Sequence, residues 1–162
     1  MRLCRFDAGA GPRHGCVEDG FVIDRENRGE HYPLEEVRLL PPVRPRKFLA
    51  IGLNYGDHIA ESGMEAPKYP VFFNKQVTCV VGPDDEIHMP RVSSLLDYEG
   101  ELAIVIGARC RHVPVGRAHE VIAGYTVAND VSVRDWQVRT PTMTSTCRGC
   151  RACSTTRASS PS

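Results

Sequence analysis

The run Asp97-Tyr98-Glu99-Gly100-Glu101-Leu102-Ala103-Ile104-Val105-Ile106-Gly107 constrains this chain most. Leu102, Ile104 and Ile106 alternate with Ala103 and Val105, so both sets are apolar. That pattern predicts a strand buried on much of both faces, which requires paired neighbours and covering layers. At the front of the strand, Glu99 and Glu101 project to one face, joined by Asp97 if the strand starts there. Adjacent carboxylates repel, and the repulsion either raises a pKa or recruits a cation. Hard oxygen ligands of this kind suit Mg²⁺, Ca²⁺ or Mn²⁺ rather than zinc. A solvated acidic strand end fits the same pattern, and both readings stand at this point.

The rest of the chain is organised around further short strands. Residues 1–40 read as a small β-rich unit, with a strand at Phe21-Val22-Ile23, a turn at Asp24–Gly29 and a helical turn at Leu34–Val37. Pro41-Pro42-Val43-Arg44-Pro45 breaks regular structure, so 41–46 is a linker. Lys47–Gly52 reads as a buried strand. Asn54–Gly63 is helix-compatible and closed by Gly63. Strands are expected at Val71–Phe73, Val77–Gly82, Ile87–Met89 and Gly124–Asp130, with a helical turn near Arg117–Val121. Ser132–Val138 is a short helix with Ser132 as its N-cap.

Composition breaks late in the chain. Residues 145–162 hold three Arg, three Cys, five Ser and three Thr, no acid, and no Val, Ile, Leu, Phe, Tyr or Trp. Such a segment buries too little surface to offset its ordering entropy, so 145–162 is expected to lie outside any fold. The formal net charge of zero therefore averages −3 over 1–144 with +3 over the tail. Zero overall charge argues against a general nucleic-acid binder. No apolar run approaches the roughly 20 residues of a membrane span, and 1–10 lacks a secretory apolar core. Cys4, Cys16, Cys79 and Cys110 follow no framework spacing, which points to a reducing, cytoplasmic setting.

Two further clusters carry chemistry. Asp130 ends an apolar strand, where ligand-binding residues are often presented and where a simple turn cap is equally at home. His58 and Glu61 stand i, i+3, so on a helical turn the carboxylate can orient the imidazole as a general base, or form an ordinary surface pair. His14, His31, His88, His112 and His119 have no comparable partner and read as surface residues. Trp136 and Tyr125 read as core.

Together these segments resemble the fumarylacetoacetate hydrolase (FAH) family. Gly52-Leu53-Asn54-Tyr55-Gly56-Asp57-His58-Ile59-Ala60-Glu61 is similar to its G-x-N-Y-x-x-H-x-x-E motif, and Pro70-Val71-Phe72-Phe73-Asn74-Lys75 to its P-x-x-F-x-K segment. Asp97–Gly107 resembles its D-x-E-x-E-L-A-x-V-I-G strand, and Gly124–Gln137 its G-Y-x-x-x-N-D-x-S-x-R-D-x-Q block. The resemblance implies a mixed, mainly β fold, an FAH-like β-roll catalytic domain over 47–144 behind a small N-terminal β domain. It implies Glu99, Glu101 and Asp130 as ligands of Mg²⁺, or of Mn²⁺ or Ca²⁺. It also implies His58 and Glu61 as the catalytic dyad, with Tyr55, Lys75, Arg134 and Gln137 lining the substrate. The implied activity is divalent-metal-dependent hydrolysis or lysis of C–C bonds in 2-oxo acids or 1,3-dicarbonyl compounds, of acylpyruvate or fumarylacetoacetate type. Isomerisation of 2-hydroxyhepta-2,4-diene-1,7-dioate type and oxaloacetate decarboxylation are the alternatives within the family. The implied partner is a small molecule, with no nucleic acid or membrane, and the intact protein is expected to be a homodimer.

The match stops after Thr144. Where the family continues with a Gly-Lys-Ser-Phe-like segment, this chain reads Ser145-Thr146-Cys147-Arg148, and no Lys follows Lys75. The resemblance therefore implies a catalytic domain that is C-terminally incomplete, truncated or frame-shifted, with a catalytically inactive chain as an alternative outcome. Cys147-x-x-Cys150-x-x-Cys153 offers three thiols, but a structural zinc needs a fourth ligand and the tail has no His or acid.

Overall fold

The computed structural model describes residues 1–27, 29–63, 65–139 and 150–156, except for the side chains of His58, Ser62 and residues 138, 139 and 150–156. Four antiparallel strands open the chain: β1 (Arg2–Asp7), β2 (Pro12–Glu18), β3 (Phe21–Asp24) and β4 (His31–Pro33). Asp19 and Gly20 join β2 to β3 with φ of 47° and 83°. An Asp-Gly pair with both residues at positive φ is the two-residue turn whose twist matches a hairpin. A 3-10 turn at Leu34–Glu36 follows, then β5 (Arg38–Leu40), which pairs back onto β1. Phe6 and Val22 are wholly buried in this unit. Gly15 lies against both: a Cβ there would stand 2.7 Å from Val22 Cγ1.

Beyond the proline-rich connection come β6 (Phe48–Gly52), α1 (Gly56–Ser62) and β7 (Val71–Lys75). β6 and β7 pair as a two-stranded antiparallel sheet. α1 ends at Gly63, whose φ of 65° is the left-handed cap that glycine adopts without a Cβ penalty. A 3-10 turn at Val77–Cys79 leads to β8 (Val80–Val81), then β9 (Leu96–Ile106), a 3-10 segment at Val115–Val121, β10 (Ile122–Val133), α2 (Arg134–Arg139) and β11 (Cys150–Thr156). One large sheet runs β4-β3-β2-β1-β11-β10-β9, with β8 parallel to β11.

Several expectations change. Val77–Gly82 is a 3-10 turn and a two-residue strand, and Ile87–Met89 is not a strand. Pro83 and Pro90 flank that stretch and remove the amides a ladder needs. β10 runs on to Val133, so Ser132 is a buried strand residue and α2 starts at Arg134. Asp130 thus sits within the strand instead of ending it. The tail also differs, since residues 150–156 run as β11 between β1 and β10. Ladder bonds are made by the backbone and need no large side chain, and Thr155 and Thr156 suit a strand. Cys147 and the rest of 145–162 lie outside the described residues.

Burial corrects the opening expectation. On β9, Ala103 and Val105 are half-buried, but Leu102, Ile104 and Ile106 are exposed. The apolar alternation specifies two faces, and no described element packs over the second. β6 behaves alike: Ala50 is buried, while Leu49 and Ile51 are exposed. Trp136 is not core either; it is partly exposed and donates its indole N–H to the Val92 carbonyl at 3.2 Å.

Candidate functional site

The site is built on the β9–β10 ladder. Asp130 stands opposite Glu99, and Ala128 opposite Glu101. Cross-strand partners share a face, and residues two apart on one strand share it too, so Glu99, Glu101 and Asp130 converge by register alone. Each offers a carboxylate oxygen, and the three lie within 4.8 Å of one another. Asp130 is buried, and Glu99 and Glu101 are half-buried. Burial, then the charges of Asp130 and Glu99, push the Glu101 carboxyl up from its ordinary value, with Lys75 partly opposing them.

Two bases answer this charge. Lys75, at the end of β7, is buried and places Nζ against Asp130 Oδ1, with Ser132 Oγ 3.5 Å away. Arg134, the first residue of α2, reaches Asp97 Oδ2 and Glu99 Oε2, both at 2.8 Å, and donates to Gln137 Oε1 at 3.2 Å. Burial would lower the Arg134 guanidinium; the Asp97 hydrogen bond and the charges of Glu99 and Asp97 outweigh it and hold it above its usual value. Asp97 therefore serves Arg134 and stays outside the carboxylate trio.

The β6–α1 connection also reaches the ladder. Tyr55 donates its hydroxyl to the carbonyl of Gly100, the residue between the two glutamates. Leu53, just before it, has φ of 54°, a left-handed conformation that is strained for leucine. α1 carries His58 and Glu61 one turn apart, and Glu61 is exposed. The His58 side chain lies outside the described residues. A concavity of about 360 Å³ opens beside α1, lined by Ile51, Leu53, Asn54, Ile59, Lys68 and Tyr69. The carboxylate trio does not line it; the trio's donor set is the stronger pointer to chemistry.

Three features escaped the sequence reading. Ser132 belongs with Asp130 on one strand face, and their i, i+2 spacing was the available signal, masked by assigning a helix cap. Lys75, read as lining the substrate, sits at the end of β7 with its ammonium against Asp130. Nothing in the residue types announces the strained Leu53.

Fold and site define a class: a mainly β protein whose strand ladder presents a carboxylate cluster of the type that hard divalent cations take. The sequence profile of the fumarylacetoacetate (FAA) hydrolase C-terminal domain matches residues 47–161, and that of the Rv2993c-like N-terminal domain matches 1–42. The chain belongs to the fumarylacetoacetate hydrolase family. An uncharacterized protein of Archaeoglobus fulgidus is 48% identical over 125 residues, covering 75% of this chain and 50% of that one. The crystal structure of 5-carboxymethyl-2-hydroxymuconate delta-isomerase from Mycobacterium smegmatis superposes with a TM-score of 0.81 at 39% identity, covering 96% of this chain and 65% of that one. Maleylpyruvate hydrolase from Sphingobium sp. SYK-6, in complex with manganese(II) and pyruvate, does so at 0.74 and 26% identity, covering 98% of this chain and 67% of that one. The chain spans 33% to 50% of the length of the first curated relatives it matches. No described helix is long and apolar enough to cross a membrane.

Proposed function

We propose that this chain carries the cation-binding half of an enzyme that cleaves C–C bonds in 2-oxo acids or 1,3-dicarbonyl compounds. The convergence of Glu99, Glu101 and Asp130 within 4.8 Å carries the reading. Three carboxylates this close, one with its proton affinity raised, fit a hard divalent ion such as Mg²⁺ or Mn²⁺. Glu99, Glu101 and Asp130 would hold that ion, and when bound it supplies a Lewis acid for the oxygens of a 2-oxo acid.

The remaining steps fall to the chain's own groups. His58, oriented by Glu61 one turn on, takes a proton from water as the water oxygen attacks the distal carbonyl carbon. The C–C bond then breaks, its electron pair moves onto the carbon beside the 2-oxo group, and that carbon accepts the proton from the imidazole. Arg134 and Gln137 flank the trio and orient a substrate carboxylate. Tyr55 anchors the α1 connection to the backbone between the two glutamates.

A second reading is isomerisation. The mycobacterial neighbour is named for a carboxymethyl-hydroxymuconate isomerase, and the same dyad would then carry a proton between two carbons without activating water. Mn²⁺-dependent release of pyruvate from an acylpyruvate tests the first reading. It should vanish in Glu101→Gln and His58→Ala. Solvent deuterium entering a hydroxymuconate-type substrate with no pyruvate released selects the second. No turnover of either substrate, with Mn²⁺ bound, refutes both.

A further inference from the structure

Lys75 is a poor fit for the substrate-binding role that the resemblance implies. Its side chain is 3% exposed, so it has almost no surface to offer a ligand. Its ammonium lies against Asp130 Oδ1, 3.5 Å from Ser132 Oγ, with the Phe73 ring centroid 6.0 Å away. An ammonium is compact, strongly hydrated and costly to bury, and it is retained inside a protein only where facing charge offsets the lost hydration. Here the facing charge is the carboxylate trio.

The charge count is informative. Asp97, Glu99, Glu101 and Asp130 bring four negative charges to the site, and Lys75 and Arg134 bring two positive ones. The remainder is −2, the complement of one divalent ion. Arg134 is fixed by Asp97 as well as Glu99, so its charge is shared with a residue outside the trio. Lys75 contacts the trio alone among the carboxylates. It also comes from the β6–β7 sheet, so its contact ties that sheet to the ladder.

We propose that Lys75 is a positioning residue that serves as the site's built-in counter-cation, holding Asp130 when no divalent ion is present and weakening the site's pull on the ion. This rests on the cation-site reading above. Removing the ammonium leaves the trio one charge more negative at a distance of a few ångströms from the ion. In a half-buried site that difference should be worth roughly tenfold or more in ion affinity.

Mn²⁺ alone is the probe, titrated into the full-length chain with free ion counted by electron paramagnetic resonance. Lys75→Met should bind Mn²⁺ at least about tenfold more tightly than the unaltered chain. Its ion-free form should melt lower, and Mn²⁺ should raise its Tm by more. Lys75→Arg, which keeps the charge, should behave as the unaltered chain. A purely structural lysine would lose affinity on mutation, so unchanged or weaker binding in Lys75→Met overturns the proposal. Should Lys75→Met precipitate, Lys75→Gln keeps a donor toward Asp130 without the charge and carries the same expectation and the same refutation. Glu101→Gln in the Lys75→Met background separates the two ideas. If tight binding survives there, the ion sits elsewhere and the cation-site reading fails. If neither chain binds Mn²⁺, both fail together.

Discussion

Two clusters of buried charge sit on this chain, and they are arranged in opposite ways. In the N-terminal strands, Asp24 has no side-chain exposure and accepts from three donors: Arg13 at 2.6 Å and the amides of Glu26 and Asn27 at 2.8 and 3.1 Å. The Arg13 guanidinium lies against the adjacent rings of Phe6 and Tyr32, 5.2 and 5.1 Å from their centroids. Burial alone would raise the Asp24 carboxyl, but these amides and the Arg13 charge hold it below its usual range. On the β9–β10 ladder, three carboxylates have one buried lysine, on Asp130, and one arginine, on Glu99, and Glu101 is pushed the other way. In the first cluster the fold itself supplies Asp24 with its counter-charge and its donors, while Arg13 Nε is left without a hydrogen-bond partner. The second has surplus negative charge, and the proposed cation site rests on that surplus.

The largest test of this contrast is stability. Asp24→Ala removes the acceptor of two backbone amides and the nearer counter-charge of the mostly buried Arg13 guanidinium, leaving it Glu30 at 3.5 Å, so it should cost about 3 kcal/mol in urea unfolding. Glu101→Gln removes a repelled charge, so the ion-free protein should lose nothing and gain slightly. Equal destabilisation by both substitutions would erase the distinction drawn between the clusters.

Gly15→Ala comes next. The new methyl would meet Val22 Cγ1 at 2.7 Å, the Ile23 carbonyl at 2.9 Å and Phe6 Cε1 at 3.1 Å. Two of those atoms belong to the fully buried pair, so the substitution should cost about 2 kcal/mol by overpacking. It should leave Mn²⁺ binding untouched, because nothing at Gly15 contacts the ladder site.

The pH dependence separates the clusters by sign. Asp24 has a depressed folded pKa, so its contribution is fully present above its ordinary value of 3.8 and is lost as pH falls through the folded value. Glu101 has a raised folded pKa, so the ion-free protein loses stability as pH rises from 4.5 through that value. Unfolding followed from pH 2 to 8 should show Asp24→Ala flattening the lower window and Glu101→Gln the upper one. With Mn²⁺ present the upper window should reverse, since the ion binds ionised carboxylates.

Much of this contrast was legible in the residues. The i, i+2 spacing of Glu99 and Glu101 placed them on one face before any pairing was known, and the four motifs pointed to Asp130 as their partner. Register then brought the three together. What could not be read was environment. Leu102, Ile104 and Ile106 spell an interior face, yet they are exposed, because alternation specifies a face without specifying what covers it. β11 was invisible because composition predicts burial, whereas strand pairing depends on backbone bonds. The Asp24 network was not legible because Asp24 reads as the first residue of a turn, and nothing in the residue pattern ties it to Arg13.

The smallest expected effect concerns α1. Gly63 closes α1 at φ 65°, and a Cβ there would meet nothing within 4 Å. Gly63→Ala thus introduces backbone strain without a clash, worth about 1 kcal/mol. α1 is mostly exposed and joined to the ladder chiefly through Tyr55, so this cost should fall on α1 locally. Global urea unfolding should move by less than about 0.5 kcal/mol, because the helix can open while the sheets stay paired. Amide exchange at Ile59 and Gly63, whose N–H groups donate to Tyr55 and Ala60, should instead accelerate severalfold. If Asp24→Ala and Gly63→Ala shifted the global transition alike, α1 would be part of the cooperative core. The helix that carries His58 and Glu61 would then be rigid with the ladder, and the proton transfer proposed for His58 would need no local motion.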